Sequence, residues 1–332
     1  MAYLTGTANS LQDLQNAFFA GLQSAGMGWS VDVGSGMASK GAINLFAEVV
    51  NLGTMNLSNV RIQNRNLIRF RVNDAPIAQA VGDMTDTPVA QSGPNYGIEF
   101  PCSWHLHVNT APDEMYFFVG YNITDWQWFA CGCSSAPGIT GTGVWASGTK
   151  PVLPTGNTLN QSNSANFISQ NFTISNTAGG QQYRSSGGLF WTTTFTNAGF
   201  SNVGNGNNVQ ASVFHSGMPV VDANHQINGW TDYVVGISAV STHVSSQPNA
   251  WNAESLLIPI RVFENRPESK WSIVGELRHC RYFRIDNHAP TELIALGTDQ
   301  WRVYPWFRKD LTNRNGGQNI FHTGTFGCAL RV

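Results

Sequence analysis

The sequence predicts a mainly β protein, with one amphipathic helix near the N-terminus followed by β-sandwich or jelly-roll-like domains. Three observations lead there. Helical periodicity occurs once, within the first 26 residues, and does not return. The remainder is a series of short runs rich in aromatic and β-branched residues, bounded by Gly, Pro, Asn or Asp. Charged residues make up 11% of the 332, against about 25% in an average domain, while Trp, Phe and Tyr number 11, 19 and 8. Such a chain has ample apolar surface to bury and little charge to keep it extended.

The helix comes first. Leu11, Leu14, Phe18, Leu22 and Ala25 recur at spacings of three and four, which places them on one face. Asn9 or Ser10 can cap its start, and Gly26 and Gly28 can end it. Trp29–Val33 then alternates as a strand does. Further strands are predicted over Ile43–Leu52, Val60–Val72, Tyr116–Tyr121, Trp126–Cys133, Leu189–Phe195, Val209–Phe214 and Tyr233–Val240. Toward the C-terminus they continue over Leu256–Phe263, Arg281–Ile285, Glu292–Leu296 and Gln300–Phe307. Residues 134–188 and 201–208 are rich in Gly, Ser, Thr and Asn and read as loops, either contacting partners or lying as plain surface. The predicted organisation is a lead and docking helix over 1–28, a β domain over 29–150, a Gly/Asn/Ser/Thr-rich insertion over 151–210, and a C-terminal β region over 211–332 packing on 29–150.

Composition excludes several classes. The formal net charge is −2, with 18 Lys and Arg against 20 acids and no dense basic block, so binding to nucleic acid through phosphates is not expected. Apolar runs fall far below the ~18 residues of a membrane span, so no membrane insertion is expected. MAYLTGTANS has neither a basic nor an apolar signal region, and the five Cys are expected to be reduced thiols. Neither a phosphate-binding loop nor a G-x-S-x-G elbow occurs, and no cofactor is implied.

Some residues could still carry chemistry. On a strand, His105 and His107 would point to one face, as metal ligands do. A site would need further ligands, for which Cys131 and Cys133 could supply sulfur. The alternative is that both rings bond to neighbouring backbone. Asp113, Glu114, Asp125, Asp232 and Glu276 lie on aromatic-flanked segments and are candidate carboxylates for sugar cleavage, which needs two facing carboxyls. Trp126, Trp128 and Trp230 could stack on a glycan, or fill the core between sheets. His279-Cys280 places thiol and imidazole on opposite faces of a strand, which argues against a nucleophilic pair.

Three strings resemble a group of tailed-bacteriophage virion proteins associated with the tail. MAYLTGTANSLQDLQNAFFAGLQSAGMGWSV is similar to their opening of extended lead, helix and Gly-Trp strand. PCSWHLHVNTAPDEMYFFVGYNITDWQWFACG is similar to a central aromatic/His, aromatic and Gln-Trp strand series. The segment from LLIPIRVFENRPESKW to HTGTFGCALRV resembles their closing module. The resemblance implies a structural or adaptor part of a baseplate, tail tip or fibre attachment, located in the virion after assembly in the host cytoplasm, with other tail proteins and identical copies as partners. It implies no catalytic residue. Low charge, many aromatics, and fourteen Arg against four Lys also suit desolvated protein interfaces.

The leading expectation is therefore a non-enzymatic, homo-oligomeric tail component that docks through Leu11, Leu14, Phe18 and Leu22. On that reading, removing residues 1–28 leaves a soluble β domain. The alternatives are a receptor-binding module for host surface glycan, a glycan depolymerase, or a metal-dependent hydrolase using His105 and His107.

Overall fold

A computed structural model describes residues 1–51, 55–57, 60–62, 66–74, 77–86, 97–133, 144–148, 173–175, 182–184, 188–190, 213–214, 257–266, 270–285, 287–305, 309 and 326–332. The elements in the first third of the chain are β1 (Ala2–Ala8), α1 (Leu11–Ser24), β2 (Ser30–Asp32), β3 (Met37–Lys40), β4 (Ile43–Asn51), β5 (Met55–Leu57), β6 (Val60–Ile62), β7 (Asn66–Asp74) and β8 (Ile77–Thr85). Next come β9 (Cys102–Asn109), β10 (Glu114–Tyr121), β11 (Asp125–Cys133), β12 (Val144–Gly148), β13 (Thr173–Ser175), β14 (Gln182–Arg184), β15 (Gly188–Phe190) and β16 (Val213–Phe214). The last five are β17 (Ile258–Arg266), β18 (Lys270–Arg284), β19 (Leu293–Leu296), β20 (Asp299–Pro305) and β21 (Phe326–Arg331). The protein is mainly β, as the patterning predicts.

Three antiparallel sheets carry the architecture. The central sheet runs β1-β9-β10-β11-β12-β15, a helix-side sheet runs β2-β3-β4-β7-β8, and a C-terminal sheet runs β16-β17-β18-β21-β20-β19. The central sheet is covered on both faces. One face carries Leu106, Val108, Met115, Phe117, Val119, Phe129 and Cys131 into a single core with α1, β4 and β7. The other face carries Tyr116, Phe118 and Trp128 toward the C-terminal sheet, where Phe118 stacks on Tyr304 with centroids 4.4 Å apart. Every residue of β10 is consequently buried. In β4, by contrast, Ile43, Leu45 and Ala47 are buried and the residues between them are not, the alternation of a sheet with one wet face.

Ser10 caps α1 by accepting from the Asp13 N–H at 3.1 Å, while the Asp13 carboxylate reaches back to the Asn9 N–H at 3.3 Å. This reciprocal pairing satisfies donors that the first helical turn leaves open. The helix ends at Ala25, and Gly26 follows with φ +66°, the left-handed conformation glycine takes without steric cost. The apolar stripe turns inward. The Phe18 ring sits 5.5 Å from Phe70 of β7 and 4.9 Å from Phe117 of β10, and Phe70 stacks on Phe129 at 4.4 Å. Gly21 lets the helix approach β9 closely, since a Cβ there would lie 2.7 Å from Leu106 Cδ2.

The structure corrects the expected role of this helix. Leu11, Leu14, Phe18 and Leu22 are all at most 5% exposed and belong to the chain's own core, so they present no docking face. Residues 1–28 are not a separable lead either, because β1 pairs with β9 along its whole length, from Ala2↔Val108 to Ala8↔Cys102. Residues 144–148, inside the stretch expected to be loop, form β12 and pair with β11. The strand expected at Tyr233–Val240 and most of the 151–210 insertion lie outside the described residues.

Deletion of residues 1–28 removes one edge of the central sheet and the core residues Ala8, Leu11, Leu14, Phe18, Phe19 and Leu22, so the truncated chain is expected to be insoluble or to lose cooperative unfolding. A milder probe is Phe18→Ala, expected to cost about 3–5 kcal/mol in a denaturant titration. A soluble deletion variant with unchanged cooperativity would contradict this packing.

Candidate functional site

The residues most able to carry chemistry gather on the seam between the central and C-terminal sheets. Strand alternation puts His105 and His107 of β9 on that seam, beside Tyr3 of β1, and Tyr304 of β20 lies over them. Tyr3 Oη is 2.7 Å from His105 Nδ1, Thr5 Oγ1 is 3.2 Å from the same nitrogen, and His107 Nε2 is 2.8 Å from Tyr304 Oη. The Arg302 guanidinium lies 4.3 Å from the centre of the Tyr3 ring. Burial pushes His105 down to about 4 and His107 well below the usual imidazole range, and Arg302 adds to both shifts. Both rings are therefore neutral near pH 7, and both are engaged by tyrosine hydroxyls.

Two neutral histidines on one strand face fit a metal site only if more ligands converge. The Cys131 and Cys133 sulfurs do not. Cys131 packs in the core on the helix side of the sheet with Phe129, so the sheet itself separates it from the histidines. Cys133 packs against that same core. No cluster of three or more His, Cys, Asp or Glu able to hold a metal occurs among the described residues.

The carboxylates are dispersed. Asp113 pairs with Lys40 at 2.7 Å, and Glu276 lies 3.6 Å from Arg281. Asp125 is buried on β11, and Asp232 is outside the described residues. Glu114 differs from these in being fully buried on the seam. It accepts from the backbone N–H of Arg278 at 2.8 Å, the N–H of His279 at 3.0 Å and the Tyr116 hydroxyl at 2.7 Å. These bonds stitch β10 to β18. Desolvation outweighs them and pushes the carboxyl up to about 7. Nothing in the sequence singles Glu114 out from the other acids, because the backbone donors it meets lie 164 and 165 residues away.

Two of the three tryptophans expected as glycan platforms, Trp126 and Trp128, are core residues. Trp128 is fully buried, with its ring stacked on Phe118 at 5.9 Å. Trp126 is 5% exposed and packs against His105 and Tyr304, each with centroids 5.7 Å away. Neither ring offers a face to a sugar, and Trp230 lies outside the described residues. His279 and Cys280 stay on opposite faces of β18, as the sequence indicates. Cys280 is hydrogen-bonded to Cys328, and burial raises its thiol well above the usual range.

A shallow cleft of about 330 Å³ opens at the end of the central sheet, lined by Thr7, Pro101, Ser103, Asn122, Ile123 and the edge of Trp126. Its rim is the β10–β11 turn, where Asn122 and Ile123 have φ +52° and +39° and Ile123 is 84% exposed. A β-branched residue in the left-handed region is strained by sterics at Cβ. The cleft holds no paired carboxyls, imidazoles or reactive thiolates. Cys102 at its floor is pushed up to about 12 by burial.

No protein-family model and no curated protein matches the chain.

Two outcomes are expected. Glu114→Gln replaces one carboxyl oxygen with a donor and leaves a seam N–H unpaired, costing about 1–3 kcal/mol. Because the folded carboxyl titrates at about 7, above the ordinary 4.5, its contribution to stability is complete below pH 4.5 and lost as pH rises through 7. The wild type minus Glu114→Gln difference in chemical denaturation should therefore shrink from pH 4.5 to 8. A difference that grows over that range would reverse the assignment. Separately, Ile123→Gly is expected to raise stability by roughly 0.5–1 kcal/mol by relieving the turn, and a lower melting temperature would show that the side chain is held by more than the strained backbone.

Proposed function

We propose that the chain is a structural and adaptor protein of a tailed-bacteriophage tail, built into a baseplate, tail tip or fibre attachment. It works through interfaces with other tail proteins and copies of itself, assembles in the host cytoplasm and resides in the virion. Two things support the reading. One is the resemblance of the opening, central and closing strings. The other, which carries it, is the arrangement of free sheet edges. Among the described strands, β1 ends the central sheet and β19 ends the C-terminal sheet. Arg302 over Tyr3 brings β20, the neighbour of β19, against β1.

Both edges carry exposed apolar side chains. Leu293 and Leu296 on β19 are 47% and 56% exposed, and Met1 before β1 is 52% exposed. An edge strand with exposed leucines is a template for pairing with another chain, and monomeric proteins blunt such edges with charge. His105, His107, Glu114, Trp126 and Trp128 are meanwhile taken up by packing and hydrogen bonds at the seam. The reading therefore assigns no catalytic residue.

The test is incorporation. Tagged chain expressed in infected cells is expected in purified particles at fixed stoichiometry, read by immunoblot. Leu293→Asp with Leu296→Asp is expected to fold with stability within about 0.5 kcal/mol of wild type, as surface changes do, and to enter particles at least tenfold less. Absence of the wild-type chain from particles would refute the reading, and normal entry of the double variant would remove the edge from it.

A further inference from the structure

We propose that the N-terminal strand β1 is an acid-released latch: protonation of His105 and His107 frees it from the edge of the central sheet. The proposal goes beyond the assembly reading and is tested on the isolated chain, so either can fail without the other.

The geometry is that of a clasp closed by three contacts. Tyr3 Oη meets His105 Nδ1 at 2.7 Å, the Tyr3 ring lies 4.7 Å from the His107 ring, and the Arg302 guanidinium lies over the Tyr3 ring at 4.3 Å. Thr5 adds a bond to the Trp104 carbonyl at 2.8 Å and a contact to His105 at 3.2 Å. Away from this clasp β1 is held by its backbone ladder to β9 and by few buried side chains. Thr5 and Thr7 are exposed, Ala2 to Leu4 are half-buried, and Ala8 alone is buried. Its outer edge has no described partner strand.

Protonation loads this clasp with like charge. A tyrosine hydroxyl can either donate to a neutral imidazole or accept from a protonated one, so hydrogen-bond count alone does not oppose the change. Charge does. The groups facing the histidines are Tyr3 on β1, Tyr116 and Glu114 on β10, Arg302 and Tyr304 on β20, and Cys328 on β21. His279 on β18 stands further off, beside Thr110. Asp125 and Gln127 lie on the opposite face of β11, by alternation with Trp126 and Trp128. The formal cation in this set is Arg302. Its carboxyl, Glu114, titrates near 7 and is neutral in the acid range. Each imidazolium would thus form beside a guanidinium, out of water, with no anion among the described groups that face it to offset it.

The sign follows. Folded imidazoles held below 6.5 favour the closed strand above pH 6.5, and that contribution is lost as pH falls toward 4. Each histidine that opening exposes changes the opening equilibrium by about tenfold per pH unit in that interval.

Hydrogen exchange of the full chain between pH 7 and 4.5, corrected for intrinsic rates, tests this. Amides of β1 are expected to lose protection by at least tenfold per pH unit below 6.5, ahead of amides in β10 and β11. His105→Asn keeps a neutral acceptor near the Nδ1 position and is expected to remove about one proton from that dependence. Arg302→Gln, which leaves both histidines in place, is expected to lower β1 protection at pH 7 and to make its pH dependence shallower. Loss of β1 protection only together with β10 and β11, or an unchanged pH dependence in both variants, would overturn the latch.

Discussion

The structure depends on the burial of one sheet on both faces. Strands β9, β10 and β11 send Leu106, Phe117 and Phe129 toward α1 and β7, and send His107, Phe118 and Trp128 toward β20 and β21. A strand with no wet face cannot keep a charge solvated. The polar groups on it must therefore be neutral, hydrogen-bonded or both. That single requirement accounts for the lowered histidines, the raised Glu114 carboxyl and the tyrosine hydroxyls that meet them. It also accounts for the position of β1. The edge of a doubly covered sheet still needs a partner, and the N-terminal strand supplies it by pairing with β9 across about a hundred residues of chain.

How much of this was legible in the sequence depends on how local each signal is. The helix was legible because its stripe, its Ser10 cap and its terminating Gly26 lie within 17 residues. Strands β4, β10 and β11 were legible as alternating or continuous apolar runs. The segment AYLTGTA reads only as an extended lead, because an edge strand with one half-exposed face carries weak alternation. Strand β12 is hidden in a Gly/Ser-rich stretch for a similar reason: its neighbour β11 supplies the apolar mass.

The destination of each face was not legible. A continuous apolar run such as EMYFFVGY tells that a strand is buried, not by what. Trp126 and Trp128 could as well have lined a surface, and the stripe of α1 could as well have met another protein. What settled both was non-local: Tyr304 arriving from 186 residues beyond Phe118, and Phe70 arriving to cover Phe18. The same holds for the candidate site. His105 and His107 share a face, as their spacing implies. The sheet that separates them from Cys131 follows from the register of β9, β10 and β11, which single-strand periodicity does not carry. Side chains that look reactive in a list become packing groups once both layers are in place.

The five free thiols sample these layers, which makes their reactivity the most direct test of double burial. Cys131 lies in the helix-side core, Cys280 and Cys328 lie on the seam, Cys102 is buried near the sheet end, and Cys133 is partly exposed. Labelling the native protein with a thiol reagent, followed by peptide mass spectrometry, should modify Cys133 quickly. Cys131, Cys280 and Cys328 should react only at the rate of global unfolding. Rapid labelling of Cys280 and Cys328 while Cys131 stays protected would mean that the seam is open, and the three-layer account would fail.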